Sequence, residues 1–230
     1  RGAVLAAALA VCACGRSPES EPPAPEPTVP VERLVSLVPS LTEAVLEVGA
    51  GDALVGIGRW DPEVPGRPDV PRLGDAFDVS LEAVAALDPD VVLVNGVALA
   101  DRLEPLRARV PVVVLPTDTV DDVLAALRRV GELTGRPLAA HGAADRIQAA
   151  LTSSRGRAAE RGGPPPRVLV AVQRSPLYVA GGGSYLHELL VAVGAVNVAG
   201  DLADAWPVLS EESVLARAPD VLLDGTVVDG

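Results

Sequence analysis

Two stretches of this chain share one pattern, and an internal repeat constrains a fold more than any single motif does. SLEAVAALDPDVVLVNG starts at Ser80, and SEESVLARAPDVLLDGT starts at Ser210. Ser80, Glu82, Val84, Ala86, Pro89 and Asp90 of the first copy answer Ser210, Glu212, Val214, Ala216, Pro219 and Asp220 of the second. A Ser ahead of an amphipathic stretch reads as a helix N-cap. The acid in the first turn stands where the helix dipole favours it. An apolar run follows each copy, as a buried strand would.

The surroundings repeat as well. RLVSLV (33–38) predicts a strand, and RVLVAVQ (167–173) predicts its counterpart. EAVLEVGA (43–50) is echoed by HELLVAVGA (187–195), and ALVGIG (53–58) by VNVAG (196–200). Ser40 and Glu43 fit an S-x-x-E capping box, and Gly49 fits the position just past a helix end. DVVLVNG (90–96) and VPVVVLP (110–116) predict further strands, and residues 121–135 a helix closed by Gly and Pro. Strands alternating with helices imply parallel βαβ units, and continuous apolar strands imply a sheet covered on both faces.

Between the copies, Ala140, Ala144, Ile147, Leu151 and Ala158 keep to one face of a helix. Such a helix would be about 35–40 Å long at 1.5 Å per residue. Gly142 and Gly156 weaken it, and RGGPPP (161–166) ends it. The expected fold is therefore α/β: two similar Rossmann-like lobes with central parallel sheets, joined by one long bridging helix. The first lobe is expected over 33–136, the bridge over 137–163 and the second lobe over 164–230. Beyond Asn95-Gly96 the first lobe continues with helix, strand and helix. The second lobe shows no counterpart, so it is expected to be truncated at its C-terminus.

Residues 1–14, RGAVLAAALAVCAC, place a basic residue before a short apolar run ending in small residues and cysteine. That is the pattern of a secretory signal. Val11-Cys12-Ala13-Cys14 resembles a bacterial lipobox, which would make Cys14 the lipidated residue; an ordinary cleaved signal is the alternative. The only cysteines are Cys12 and Cys14, so none is left for the body. Residues 15–32 are rich in Pro and Glu and read as an extended tether. The body is thereby expected outside the cytoplasm, periplasmic or at the cell surface, beside the membrane that holds the anchor.

Net charge is −12, which argues against nucleic acid as a partner. Aromatic residues are scarce: Trp60, Phe77, Tyr178, Tyr185 and Trp206. Four are expected in loops, which suits stacking on a flat, partly apolar ligand; the plainer reading is that each covers a loop base. In open α/β sheets ligands sit at the carboxyl ends of strands. The candidate ligand-binding residues are Pro39, Ser40, Trp60, Phe77, Asn95, Ser175, Tyr178 and Trp206. A bare-metal site is not expected, because His141 and His187 are the only histidines and the body has no cysteine. Neither is an enzyme: G-x-S-x-G, the P-loop pattern and H-E-x-x-H do not occur. Ser184 and His187 read as a helix cap and a surface histidine, and A-G-G-G-S (180–184) as a tight turn. A two-domain enzyme working in an interlobe cleft and a structural lipoprotein are the competing classes.

Residues 33–230, through RLVSLVPSLTEAVLEVGAGDALVG, GDAFDVSLEAVAALDPDVVLV and AWPVLSEESVLARAPDVLL, resemble the helical-backbone substrate-binding proteins of bacterial ABC importers. The S-L-T-E opening of the first helix and the W-P before the second acidic motif resemble the cobalamin-binding members. The resemblance implies capture of a corrinoid between the lobes, with an iron-siderophore or haem as the alternative. The protein would have no cofactor of its own. It also implies a monomer that delivers its ligand to an ABC permease dimer with ATPase subunits, docking through one glutamate per lobe, Glu82 and Glu212.

Overall fold

The computed structural model describes residue 27 and residues 30–75 and 78–225. Cys14 and the leader, most of the tether, Phe77 and residues 226–230 lie outside the described residues.

The first lobe runs β1 (Leu34–Ser36), α1 (Pro39–Glu47), β2 (Leu54–Ile57), α2 (Leu81–Ala86), β3 (Val91–Val94), α3 (Val97–Arg102), β4 (Val112–Val114) and α4 (Val120–Leu133). Its sheet is parallel, in the order β2-β1-β3-β4. The strands alternate faces as a period of two requires. Leu34, Val91 and Leu93 face a core shared with Leu41 and Val45 of α1 and Leu127 and Val130 of α4. Val35, Val92 and Val94 face the other way, onto Val84 of α2 and Leu99 and Leu103 of α3 and its end. A run such as VVLV is thus buried at every position.

α5 (Pro137–Glu160) carries the chain to the second lobe. Ala140, Ala144 and Leu151 of its predicted face are buried, and Ile147 and Ala158 are half-buried. The second lobe runs β5 (Arg167–Arg174), β6 (Leu177–Val179), α6 (Tyr185–Ala192), β7 (Val196–Asn197), α7 (Glu211–Arg217) and β8 (Val221–Asp224). β5 lies between β7 and β8, both parallel to it, as β1 lies between β2 and β3. The lobe adds an antiparallel hairpin partner, β6, absent from the sequence reading. LYV, three residues on from the end of β5, is too short to stand out as a separate strand.

The repeated motif forms the same clamp twice. In the first lobe, Arg33 donates from Nη2 to the Leu87 carbonyl (2.6 Å) and from Nε to the Asp88 carbonyl (3.0 Å) at the end of α2. Its backbone N–H donates to the Asp90 carboxylate (2.8 Å), and its carbonyl accepts from the Asp90 N–H (2.8 Å). In the second lobe, Arg167 makes these bonds to the Arg217 and Ala218 carbonyls (2.5 and 3.2 Å) and to Asp220 (2.9 and 2.8 Å). The Pro-Asp of each copy thereby fastens the second parallel strand to the start of the first, and the Arg satisfies orphan carbonyls of the helix between. The outcome differs in one respect. β3 is buried throughout, whereas Val221, Leu222 and Leu223 of β8 are 41, 60 and 47% exposed. Among the described residues nothing covers β8 as α3 and β4 cover β3.

Both helices turn through a left-handed residue, Asp88 (φ 44°) and Ala218 (φ 43°). Aspartate tolerates that region and alanine does not. Ala218→Gly should therefore raise the unfolding free energy by about 0.5–1 kcal/mol, the relieved strain less the extra chain entropy of glycine. Urea denaturation measures this, with Asp88→Gly expected to gain less. A loss of stability in Ala218→Gly would contradict the assignment of strain.

Candidate ligand cleft between the lobes

In the first lobe the four strands end on one edge, and their loops bring Pro39-Ser40, Trp60, Asn95 and Thr117-Asp118 to it. The expected Ser40–Glu43 capping box does not form. Pro39, which has no N–H, takes the first helical position, so Val38 is the N-cap and has no side chain to bond with. Ser40 instead places its hydroxyl 3.2 Å from that of Thr117, tying the first loop to the fourth. A capping box does form at α4, between Thr119 and Asp122. Asn95 is exposed directly after β3.

Trp60 is 61% exposed, but its loop is held firmly on both sides. Arg59 donates its backbone N–H to the Gly74 carbonyl (2.7 Å), and its guanidinium pairs with Asp75 and Asp78. Arg72 donates from Nη1 to the carbonyls of Gly58, Arg59 and Asp61 (3.1, 2.8 and 2.8 Å). Asp61 is 4% exposed, and its Oδ2 accepts from the Thr42 hydroxyl (2.5 Å) and the Gly58 N–H (2.9 Å). Its Oδ1 is buried without a hydrogen-bond partner. Burial pushes the Asp61 carboxyl above the usual 3.8, against the pull of the Thr42 and Gly58 bonds and the charge of Arg72. The arrangement fixes the loop backbone that presents the Trp60 indole to solvent. Asp61 went unnoticed in the sequence, where a single acid beside Trp60 in a Pro-rich loop carries no periodic signal.

In the second lobe, Tyr178 and Trp206 line a hollow of about 460 Å³ with Val172, Gln173 and Pro176. Exposed Ser175 stands in the turn between β5 and β6 beside it. The expectation of four loop aromatics is corrected here: Tyr178 lies in β6 and Tyr185 opens α6, so only Trp60 and Trp206 are on described loops. The Trp206 loop is held by the glycine run. Gly181 and Gly182 donate to the Ala205 and Leu202 carbonyls (2.9 and 2.7 Å). A Cβ at Gly181, Gly182 or Gly183 would come within 2.0–2.5 Å of backbone oxygens of that loop. The run is thus the tight turn the sequence suggested, shaped by close approach of two backbones.

Trp206 is bound more firmly than a free stacking platform. Its Nε1 donates to Asp118 Oδ1 across the lobe boundary (2.8 Å), and its ring meets Tyr185 edge-on at 5.8 Å. Asp118 carries no signal of its own in the sequence, because only the tertiary fold brings it to Trp206 and Tyr185. Ser184 caps α6, accepting from the His187 N–H (3.2 Å). His187 is half-buried, not a surface residue as expected; its Nδ1 lies 3.4 Å from the Asn197 amide. His141 keeps its Nδ1 2.6 Å from the Pro137 carbonyl at the start of α5. Among the described residues no group of three or more His, Cys, Asp or Glu could hold a metal ion.

Glu82 and Glu212 are exposed in the first turns of α2 and α7. Each helix is capped as predicted: Ser80 Oγ accepts from the Ala83 N–H and Ser210 Oγ from the Ser213 N–H, both at 3.2 Å. The Glu212 carboxyl is held below its usual range by its own backbone N–H and then by Ser210. Helices that return between parallel strands start at the strands' carboxyl edge, so both acids belong to the edge that carries Trp60 and Trp206.

Two α/β lobes on one long helix, with strand ends meeting at the lobe boundary, define a two-lobed ligand-binding protein. Residues 34–225 match the family model described as periplasmic binding protein, and the chain belongs to that family. Its members act outside the cytoplasm, and no described helix is long and apolar enough to cross a membrane. The chain is 28% identical over 196 residues to a vitamin B12-binding protein of Pectobacterium carotovorum, covering 84% of this chain and 71% of that one. A periplasmic heme binding protein of Pseudomonas aeruginosa is similar at TM-score 0.73 and 25% identity, covering 84% of this chain and 71% of the other. The vitamin B12 binding protein of Vibrio cholerae shares the fold at TM-score 0.70 and 24% identity, covering 85% and 76%.

The buried Asp61 makes a prediction about pH. A carboxyl whose folded pKa is raised binds its proton more tightly folded than unfolded, so it favours folding in acid and opposes it once ionised. Its contribution is fully present below 3.8 and is lost as pH rises through the folded value. Asp61→Asn removes this term. Melting temperatures across a pH series should show the native protein falling relative to Asp61→Asn as pH rises above 3.8. Parallel curves would contradict the raised value.

Proposed function

We propose that this protein captures a corrinoid, cobalamin or a close relative, between its lobes and hands it to an ABC permease. The observation that carries the reading is the pair of aromatic walls: Trp60, exposed on a firmly held loop of one lobe, and Tyr178 with Trp206 around the hollow on the other. A flat macrocycle with an apolar face and polar edges fits such walls. Pro39, Ser40, Asn95 and Ser175 supply small polar or rigid contacts at the edge. Phe77, outside the described residues, is proposed from the sequence as a further ligand contact. The B12-binding names of the relatives support the same ligand class. Haem is the second reading, favoured by the Pseudomonas neighbour, whose fold match is high; an iron-siderophore follows from the same importer class.

Cys14 is proposed as the lipid anchor, with residues 15–32 as the tether holding the body at the membrane. Glu82 and Glu212 are proposed as the permease contacts. They are matched acids, one per lobe, exposed beside the cleft edge. Charge pairs there would orient the cleft over a two-subunit channel, and the contact should weaken with salt.

Cyanocobalamin should quench the fluorescence of the two tryptophans in a saturable way. Trp60→Ala should weaken binding about tenfold, the equivalent of about 1.4 kcal/mol. An unmoved signal at high micromolar cyanocobalamin and cobinamide, with quenching by haemin, would replace the corrinoid reading by the haem one. The docking assignment is tested separately, in reconstituted transport with Glu82→Gln, Glu212→Gln and the double variant. Ligand affinity should hold while transport falls, most in the double variant. Undiminished transport by a folded, loaded double variant would leave helix capping as the acids' whole role.

A further inference from the structure

The first turn of a helix leaves N–H groups without an intrahelical partner. In α4 the capping box satisfies two donors: the Asp122 N–H goes to Thr119 Oγ1 (3.1 Å), and the Thr119 N–H to Asp122 Oδ2 (3.0 Å). The Val120 N–H, at the first helical position, instead donates to Glu188 Oε1 of α6 in the other lobe (2.9 Å). α6 follows the same plan. Ser184 takes the His187 N–H, and the Tyr185 N–H, again at the first position, donates to the Asp118 carbonyl ahead of α4 (2.5 Å). Each helix start is therefore capped partly by its own residues and partly by the opposite lobe. The Asp118 side chain adds a third bond, to the Trp206 indole (2.8 Å). Beneath lies one apolar cluster drawn from three helices: Val120 and Leu124 of α4, Ala144 and Leu151 of α5, and Ala192 of α6.

We propose that this reciprocal capping is a lock that fixes the angle between the lobes, and that Asp118 is a positioning residue that sets the plane of the Trp206 indole. The second half rests on the reading that Trp206 lines the ligand cleft. The lock itself does not. Glu188 and Asp118 act at one joint from opposite lobes, so the lobes are pinned at two places, along α5 and at the meeting of α4 and α6. Opening the joint exposes two unsatisfied N–H donors and releases the indole together.

In a Trp60→Phe background Trp206 is the only tryptophan, so its emission reports the joint without any ligand. Asp118→Ala should make Trp206 more mobile in time-resolved anisotropy and more open to acrylamide. Asp118→Asn, whose amide oxygen still accepts, should restore the native values. With Trp60 intact, Asp118→Ala should weaken cyanocobalamin binding about threefold to tenfold, the cost of re-ordering one freed side chain. Glu188→Ala should enlarge the radius of gyration of the unliganded protein, and Glu188→Gln should not. In the unmodified chain, hydrogen exchange at the Val120 and Tyr185 amides should be slow and matched, as for one unit that opens together. Unchanged Trp206 emission in a folded Asp118→Ala overturns the positioning role of Asp118, and an unchanged radius of gyration in a folded Glu188→Ala, or fast and unmatched exchange at the two amides, overturns the lock. If the fluorescence and exchange results hold while cyanocobalamin fails to bind, the lock stands and the ligand reading falls.

Discussion

The structure hangs on how closely α5 packs against both lobes. Its 24 residues would reach about 36 Å at 1.5 Å per residue, and its buried face is mostly alanine. Small residues let helices approach. A Cβ at Gly131 of α4 would stand 2.4 Å from the Ala140 Cβ, and one at Gly194 in the second lobe 2.9 Å from the Ala158 Cβ. The near end of α5 thus belongs to the first core and the far end touches the second lobe. With the starts of α4 and α6 joined across the boundary, the separation of Trp60 and Trp206 becomes a property of helix packing. Hinge strands would leave it free.

The lobes themselves follow from one unit used twice. The clamp of Arg33 on α2 and Asp90 recurs as Arg167 on α7 and Asp220, with left-handed residues at matching places. This is why Pro-Asp appears in both copies: the aspartate is a fastener between strands. The serines and glutamates of the copies do something separate. Ser80 and Ser210 cap their helices, and the acids beside them stand exposed in the first turns. Where the copies diverge, function enters. The second lobe adds β6 and the glycine run, and these have no equal in the first.

What was legible in the sequence was what local patterning determines. The strands, the Ser-capped helices, Gly49 past the end of α1 (φ 77°) and the long bridge all answer to periodicity or capping chemistry. The Ser40–Glu43 box misled because Pro39 competes for the first helical position and wins, which frees Ser40 for Thr117. β6 escaped because a three-residue strand has no period. Asp61, Asp118 and Glu188 escaped for a different reason: each acts on groups distant in sequence. A buried carboxylate beside Trp60, or an aspartate that binds an indole of the other lobe, has no one-dimensional signature. The fold was therefore readable down to its elements, and the candidate site only to the residues its loops expose.

In the proposed function a flat corrinoid sits between Trp60 of one lobe and the hollow of Tyr178 and Trp206 on the other. A crystal structure of the full chain grown with cyanocobalamin tests it most directly. The expected result is corrin density between the Trp60 indole and the hollow of Tyr178 and Trp206, with the Asp118–Trp206 bond intact. An empty interlobe edge at saturating ligand would contradict it.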